Sequence, residues 1–335
     1  MANQHQINTS CFFRQTATFV GLFVLMFLGC DQSFDPRGAL DKQMVVFTVL
    51  STDRDVQFVR VQTGYMPPDY NPLSYSADPS LKDASVFIIA SDRAYQLRDT
   101  LLAQSDSNRY KYPLSSYYLG SFTPQRGRAY DVEVRSPSYG NTKTTVLVPG
   151  NPKISIVQQA EDILDRPDKN ALGAFIGFNV QLSKSTKGYV GRFLLYYDVL
   201  KGSEWVEEAV EIPITSSDSS SYSLNIPKYP RMTTATSTSQ LGIVYRNGYY
   251  KGTINKLNFQ YRSTQMICKW VTFVVLQADR NLYDYYAGTH PSLAPYSIRL
   301  EEPMVSGVNG GLGVVGAYSL DSLVYLLPYD FWGNR

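Results

Sequence analysis

The stretch RAYDVEVRSP, residues 128–137, alternates between apolar and charged side chains from Tyr130 to Arg135. Successive side chains of an extended chain point to opposite faces, so Tyr130, Val132 and Val134 share one face. Asp131, Glu133 and Arg135 then fall on the other face. The pattern predicts a β-strand with one face buried and one face in water.

Runs of the same kind recur on both sides of this stretch, separated by turn-rich segments. The predicted strands cover 44–50, 56–65, 84–91, 116–122, 128–137, 143–149, 154–160, 174–183, 191–200, 204–214, 221–227, 240–246, 254–263 and 270–277. Short strands with turn signals every ~8–12 residues are typical of sandwiches and barrels rather than of βαβ units. One short helix is predicted over 279–288, where Leu282, Tyr285 and Tyr286 share a face and Gly288 supplies a stop. We therefore expect an all-β chain of β-sandwich-like domains, Ig-like or barrel-like.

The segment VPGNP, residues 148–152, is a cluster of turn residues between two strand-rich halves. Proline and glycine mark the ends of regular elements, so we place a domain boundary in this segment. The expected organisation is a signal peptide over 1–29, an N-terminal Ig-like β-sandwich domain over 30–150 and a C-terminal β-rich domain over 151–335.

The N-terminal region has the pattern of a lipoprotein signal. Residues 19–28 read FVGLFVLMFL, an apolar run with the length of a secretory-signal core and too short to span a bilayer. Gly29 and Cys30 come next, in an arrangement that resembles the lipobox of bacterial lipoproteins. The resemblance implies cleavage before Cys30 and acylation of its thiol by chains such as palmitate, which would anchor the protein stably. The alternatives are an ordinary secreted protein and an uncleaved anchor.

Charge and residue usage argue against several classes of function. The chain has 31 basic and 29 acidic residues without a basic run, so a nucleic-acid partner is not expected. Beyond the signal only His290 remains, in a polar loop, and no G-x-S-x-G or H-E-x-x-H motif occurs. Cys268 lies among apolar residues and is expected to be a small core residue. We predict no catalytic residues, no cofactor and no metal site.

Acidic residues leave two weaker alternatives. Asp162, Asp165 and Asp168 share one loop and could bind calcium, but their spacing differs from an EF-hand, so a solvated loop is favoured. A glycosidase needs two carboxylates that can come from distant strands, and sequence alone cannot pair them. The candidates, expected to be exposed strand-edge or loop charges, are Glu207, Glu208, Glu301 and Glu302.

The segment GVNGGLGVVGAYS, residues 307–319, has the Gly311-x-Gly313-x-x-Gly316 spacing of dinucleotide-binding folds. A Rossmann unit needs a buried strand before the glycines and a second strand after the helix that comes next. The preceding stretch SIRLEEPMVS is too charged for that strand, and Pro328 interrupts the stretch after the glycines. We therefore expect a tight glycine-rich turn, in which Gly313 has a conformation that a side chain would strain. The stretch AYSLDSLVYLLP could then be a short helix or a terminal strand.

Two segments, VVLQADRNLYDYYAGTHPS and EEPMVSGVNGGLGVVGAYS, resemble the closing signature of a family of bacterial outer-membrane lipoproteins. It is domain-of-unknown-function family 4249, of Bacteroidetes-type organisms. The strand GRAYDVEV with TTVLVP after it is similar to its N-terminal half. The resemblance implies a structural role for the glycine motif and association with a TonB-dependent outer-membrane transporter. The matching residues are Tyr285, Tyr286, Pro303, Asn309, Gly311, Leu312, Gly313, Gly316, Ala317 and Tyr318.

Tyrosine dominates the composition, with 26 residues among 13% aromatic residues. Extensive β-structure explains this abundance, and platforms for a glycan or peptide ligand are the functional alternative. A ligand-binding module should expose a concave aromatic cluster, whereas a structural protein should bury it; candidates are Tyr117, Tyr118, Tyr249 and Tyr250. We expect a non-catalytic binding or accessory lipoprotein of the outer membrane. A structural or adhesive envelope protein is the alternative, and a hydrolase is third.

Overall fold

The computed structural model describes residues 43–65, 78–103, 113–156, 175–214, 228–235, 240–261, 265–289 and 306–326. These residues are mostly strands, so the all-β, sandwich-like prediction is confirmed. Several predicted features lie outside the described ranges: Cys30, the acidic loop at 162–168, the strand at 221–227, His290, Glu301 and Glu302.

The described residues form sixteen strands and two helices. The strands are β1 Met44–Ser51, β2 Gln57–Thr63, β3 Ser85–Ala90, β4 Arg93–Gln96, β5 Arg98–Leu102, β6 Leu114–Leu119, β7 Ala129–Ser136, β8 Gly140–Leu147, β9 Lys153–Ile156, β10 Phe175–Gln181, β11 Gly188–Lys201, β12 Glu204–Ile212, β13 Thr233–Thr234, β14 Gln240–Arg246, β15 Met266–Ala278 and β16 Leu312–Leu326. The helices are α1 Asn247–Tyr261 and α2 Arg280–Thr289.

One large sheet organises the fold. Its nine strands run in the order β12-β11-β15-β16-β1-β2-β6-β5, with β13 paired to β11. A three-stranded sheet, β14-β10-β9, and a four-stranded sheet, β4-β3-β7-β8, accompany it. Strand β16 is central: it pairs parallel with β1 from Leu312 to Tyr318 and antiparallel with β15 from Tyr318 to Leu326.

Two hydrophobic cores lie against the large sheet. The first joins it to the four-stranded sheet through residues such as Val46, Ile88 and Val132. The second joins it to the three-stranded sheet and α1 through residues such as Phe178 and Phe273, whose rings stack 4.0 Å apart. Burying each such side chain contributes about 1.5–3 kcal/mol, so the two cores hold the sheets together face to face.

The predicted domain boundary falls between the two cores. Val148 belongs to the first core and Ile154 packs against the second. Strand β16 contributes to both, with Val315 in the first and Leu323 against the second. Strands from both sides of residue 150 also share the large sheet. The boundary at 149–152 stays a prediction.

Helix α2 confirms the helix predicted over 279–288, but the strand predicted over 254–263 is wrong. Residues 254–261 are the second half of α1. Ile254 and Leu257 are buried in the second core and Tyr261 packs against it, so the apolar residues follow helical spacing rather than alternation. The described residues therefore contain two helices, not the single one expected.

The glycine segment is a turn only as far as Gly311. From Leu312 onward it is strand, so the expected turn is wrong from Leu312 to Gly316, and the terminal-strand alternative for AYSLDSLVYLLP is confirmed as far as Leu326. Parallel pairing with β1 explains the difference, since it fixes this stretch in extended conformation in spite of its glycines.

Candidate functional site

The signature glycines mark places where other groups come close to β16. Gly313 has a φ of 108°, and a Cβ there would collide with the backbone carbonyl of Val46. A Cβ on Gly316 would lie 2.7 Å from the Leu282 Cβ of helix α2. One on Gly311 would lie 2.7 Å from the Met44 carbonyl oxygen. These glycines therefore permit close approach of β1 and α2 to the strand.

The N-terminal end of α2 forms hydrogen bonds with β16 at Val315 and Ala317, on the edge that β15 leaves unpaired before Tyr318. The Asp279 backbone N–H donates to the Ala317 carbonyl at 2.9 Å, and the Ala317 N–H donates to the Asp279 carboxylate at 3.0 Å. The Asn281 side-chain amide donates to the Val315 carbonyl at 3.0 Å. One backbone N–H and two side chains thus take the place of a neighbouring strand, as buried backbone groups require partners.

Asp279 is also the N-cap of α2, because its carboxylate accepts from the Leu282 N–H at 2.9 Å. It is buried, and burial raises its pKa to about 6, against the lowering effect of the backbone N–H groups of Leu282, Ala317 and Asn281. The nearby carboxylate of Asp284 raises it further.

A buried glutamine binds the boundary segment to the sheet. The Gln277 amide donates to the Gly150 carbonyl at 2.9 Å and to the Ser319 hydroxyl at 3.2 Å. Its carbonyl oxygen accepts from the Ser183 N–H at 2.7 Å and the Thr186 hydroxyl at 2.8 Å. Gln277 is fully buried, and all four of its contacts are internal to the fold.

Asn309 and Tyr318 of the signature also make structural contacts. The Asn309 N–H donates to the Thr144 hydroxyl at 3.1 Å, which joins the turn to β8. Burial raises the pKa of Tyr318, whose hydroxyl bonds to Asp53. The contacts of these signature residues are therefore internal to the fold and do not form a binding surface.

The structure describes two of the four tyrosines named as candidates for an exposed aromatic cluster. Tyr117 is buried and donates its hydroxyl to the Leu81 carbonyl at 2.8 Å, whereas its neighbour Tyr118 is only half-buried. Strand alternation sends these two side chains to opposite faces. The side chains of Tyr249 and Tyr250 lie outside the described part of the chain.

Exposed apolar side chains and a half-buried aromatic pair occur on the side of β12, β11 and β15 that faces away from the second core. Trp205 is 48% exposed and Ile267 is 41% exposed. Tyr196 and Trp270 are paired across β11 and β15, half-buried, with ring centres 5.5 Å apart and planes at 22°. Together these four residues form a surface that we call the aromatic face.

A cluster of charges crosses the aromatic face between Trp205 and the Tyr196–Trp270 pair. The Lys269 ammonium lies 2.8 Å from the Glu207 carboxylate and 3.2 Å from that of Asp198, which is opposite Glu207 in the strand register. The same ammonium lies 4.7 Å from the centre of the Trp270 ring. The hydrogen bond to Glu207 raises the pKa of Lys269.

Lys269 reaches this position because of a β-bulge. Tyr196 pairs with Trp270 and Tyr197 pairs with Cys268, so Lys269 is the extra residue of β15. A bulge redirects a side chain and increases local twist. Here it adds a cation to a face that already carries two carboxylates, Asp198 and Glu207.

The adjacent Glu207 and Glu208 of β12 lie on opposite faces. Glu208 points toward the second core, where its carboxylate accepts from the Tyr197 hydroxyl at 2.9 Å and pairs with Lys201 at 2.5 Å. The hydrogen bond from Lys201 lowers the pKa of Glu208. Glu207 and Glu208 therefore cannot flank one glycosidic bond, whereas Glu207 and Asp198 share the aromatic face.

Cys268 packs against the second core, and burial raises the pKa of its thiol to about 12. It has the environment of a core residue rather than of a nucleophile. Among the described residues no cluster of three His, Cys, Asp or Glu side chains could hold a metal ion, and no helix is long and apolar enough to cross a membrane.

The aromatic face was not anticipated from the sequence, although a signal for it exists. In EWVEEAVEI, residues 204–212, Trp205 shares its strand face with Glu207, Ala209 and Glu211. A tryptophan on the polar face of an amphipathic strand is exposed by that alternation and indicates a contact surface.

Comparison with known protein families gives a match over most of the chain. A family model described as Domain of unknown function (DUF4249) matches residues 32–323, which include both cores, the glycine segment and the aromatic face. No curated protein is significantly similar to the chain.

Proposed function

The chain belongs to the DUF4249 family, and on that premise we propose that it is a lipid-anchored outer-membrane protein that binds without catalysis. In this proposal Cys30 carries the acyl chains, palmitate among them. The remainder serves as the binding or accessory component of a TonB-dependent transporter system. The observation that carries the proposal is the aromatic face.

Several features support a role in binding. Trp205 presents a large apolar surface to water on a sheet whose two cores are already formed on its other side. Aromatic side chains contribute large contact area at low entropic cost, and they are enriched where proteins bind partners. The charge cluster adds polar groups that can fix the orientation of what binds.

A structural or adhesive envelope protein is the alternative. It is favoured by Tyr117, which is buried and hydrogen-bonded, as a purely structural tyrosine should be. The aromatic face favours binding instead, because Trp205 lies exposed on the same side of the sheet as Ile267 and the Tyr196–Trp270 pair, and apolar patches mark interaction sites.

Co-purification from native membranes tests the proposal. The full-length protein with a C-terminal affinity tag is extracted in mild detergent after cross-linking, and its partners are identified by mass spectrometry. We expect a TonB-dependent transporter in near-stoichiometric amount, absent from a parallel purification of an unrelated tagged lipoprotein. If the two purifications recover the same proteins, the proposed role in a transporter system is contradicted.

A further inference from the structure

We propose that the aromatic face binds a neutral oligosaccharide, which lies across Trp205, the charge cluster and the Tyr196–Trp270 pair. This inference rests on the proposed binding function and names the chemical class of its ligand. The site consists of Tyr196, Asp198, Trp205, Glu207, Lys269 and Trp270.

The apolar part of the site matches the faces of sugar rings. Tyr196 and Trp270 stack on each other, with ring centres 5.5 Å apart and planes at 22°, on the side of the sheet that faces away from the second core. A pyranose ring presents C–H groups on its flat faces, and these pack against the electron-rich faces of aromatic rings. Trp205 offers a further aromatic surface on the neighbouring strand.

The spacing favours a chain of sugars over a single one. Trp205 precedes Ala209, the partner of Tyr196, by four residues along β12. At ~3.3 Å per residue, this separates the two aromatic positions by ~13 Å along the strand. An oligosaccharide spans that length and a monosaccharide does not.

The polar part of the site matches hydroxyl groups. Glu207 and Asp198 supply acceptors, and the Lys269 ammonium supplies donors between them. A sugar hydroxyl both donates and accepts, so it can bind either partner. The cluster has one positive and two negative charges, so its net charge is negative. An anionic glycan would be repelled, which is why the ligand is neutral.

A peptide that adds a strand to the sheet fits this site less well. The edge strand β12 carries Glu204, Glu207, Glu208 and Glu211, and charged side chains on an edge discourage strand pairing. Strand addition would use the backbone edge of β12 and leave Trp270, two strands inward, without a role.

Intrinsic fluorescence provides the test, because Trp205 and Trp270 are two of the three tryptophans in the chain. The detergent-solubilised lipoprotein is titrated with neutral linear oligosaccharides of glucose, xylose and mannose. Oligogalacturonate and an unstructured peptide serve as anionic and peptide probes. We expect a saturable change in emission with a neutral oligosaccharide, retained in Trp332→Phe, which removes the third tryptophan.

Variants then locate the site. Trp205→Ala is expected to weaken binding about tenfold, which corresponds to about 1.4 kcal/mol. Glu207→Gln keeps the size of the side chain and is expected to weaken binding severalfold. Phe259→Ala is the matched control, since Phe259 is 93% exposed on α1, away from the aromatic face, and its loss should leave affinity unchanged.

Two results would overturn the inference: no response to any neutral oligosaccharide at millimolar concentration, or equal affinity of Trp205→Ala and the wild type. A response confined to oligogalacturonate or the peptide would overturn it as well. If the protein still captures the transporter while sugars fail to bind, the proposed function stands and only the ligand class is wrong.

Discussion

Gly313 combines a left-handed φ of 108° with a backbone carbonyl of β1 where its Cβ would lie. Gly313→Ala is therefore expected to lower the free energy of unfolding by at least ~1–3 kcal/mol, from backbone strain alone. Urea unfolding measures the change. Gly202→Ala separates backbone strain from steric collision, because Gly202 has a φ of 66° with open space around it. Gly242→Ala is the control for both effects, since Gly242 has neither a positive φ nor a close neighbour at its Cβ position. Equal losses in Gly313→Ala and Gly242→Ala would refute the structural role of the motif.

Asp279 predicts a specific dependence of stability on pH. Its pKa rises from 3.8 in the unfolded chain to about 6 in the fold, so the native state holds the proton more tightly between these values. The contribution of Asp279 to stability is therefore present in acid and is lost as pH rises through this window. Asp279→Asn keeps an oxygen acceptor and removes the titration.

Urea unfolding at a series of pH values checks this prediction. The stability of the wild type relative to Asp279→Asn should fall by up to about 3 kcal/mol between about pH 4 and about pH 7. Parallel pH curves for the two proteins would mean that Asp279 does not titrate in this range.

At the scale of elements, Gln277 is a fully buried residue of β15 whose side chain makes four hydrogen bonds, to Gly150, Ser183, Thr186 and Ser319 of β16. Gln277→Leu preserves bulk but leaves buried groups without partners, at ~1–3 kcal/mol for each group that stays unsatisfied. A loss of more than ~2 kcal/mol in urea unfolding is expected. Gln181→Leu, at an exposed position of β10, should change stability by less than ~0.5 kcal/mol. A similar small change in Gln277→Leu would contradict the role of this residue.

Local sequence patterns predicted the elements whose side chains divide clearly between a buried and an exposed face. Alternation at 128–137 located β7, Ala129–Ser136, because that strand buries one face and exposes the other. The same reasoning failed at 254–263, where a few apolar residues in a polar stretch satisfy helical and extended spacing almost equally. It also missed β4 and β5, whose side chains are mostly exposed and polar.

Features that depend on distant residues could not be predicted. Strand β16 was left open between helix and strand, since its parallel pairing with β1 joins residues more than 260 positions apart. The aromatic face also depends on residues that are distant in the sequence. Trp205 lies on β12, Tyr196 on β11 and Trp270 on β15, and only the register of the sheet places them together.

At the scale of the whole molecule, the sequence predicts a domain boundary near Pro149–Pro152. One hydrophobic core lies on either side of this boundary, and β16 contributes side chains to both cores. Limited proteolysis of the folded protein tests the division. Early cuts are expected near this segment or at 66–80. A single cut inside 174–200 that leaves both products folded would contradict it.

Attachment to the membrane also concerns the molecule as a whole. Cys30→Ser should abolish metabolic labelling with radioactive palmitate and release the protein from the membrane fraction, because the proposed anchor is the acylated thiol. Cys268→Ser is the matched control: its thiol packs against the second core, so labelling should persist. Labelling of the Cys30→Ser protein would place the acyl chains elsewhere.

Binding without catalysis requires that the aromatic face hold a ligand and leave it chemically unchanged. The mass balance of a bound neutral oligosaccharide tests this requirement, by chromatography and mass spectrometry after long incubation with the wild type, Trp205→Ala and Glu207→Gln. We expect full recovery of the intact oligosaccharide from the wild type, with retention reduced in Trp205→Ala. The appearance of shorter sugars with the wild type, and their absence with Glu207→Gln, would contradict non-catalytic binding and identify a hydrolase.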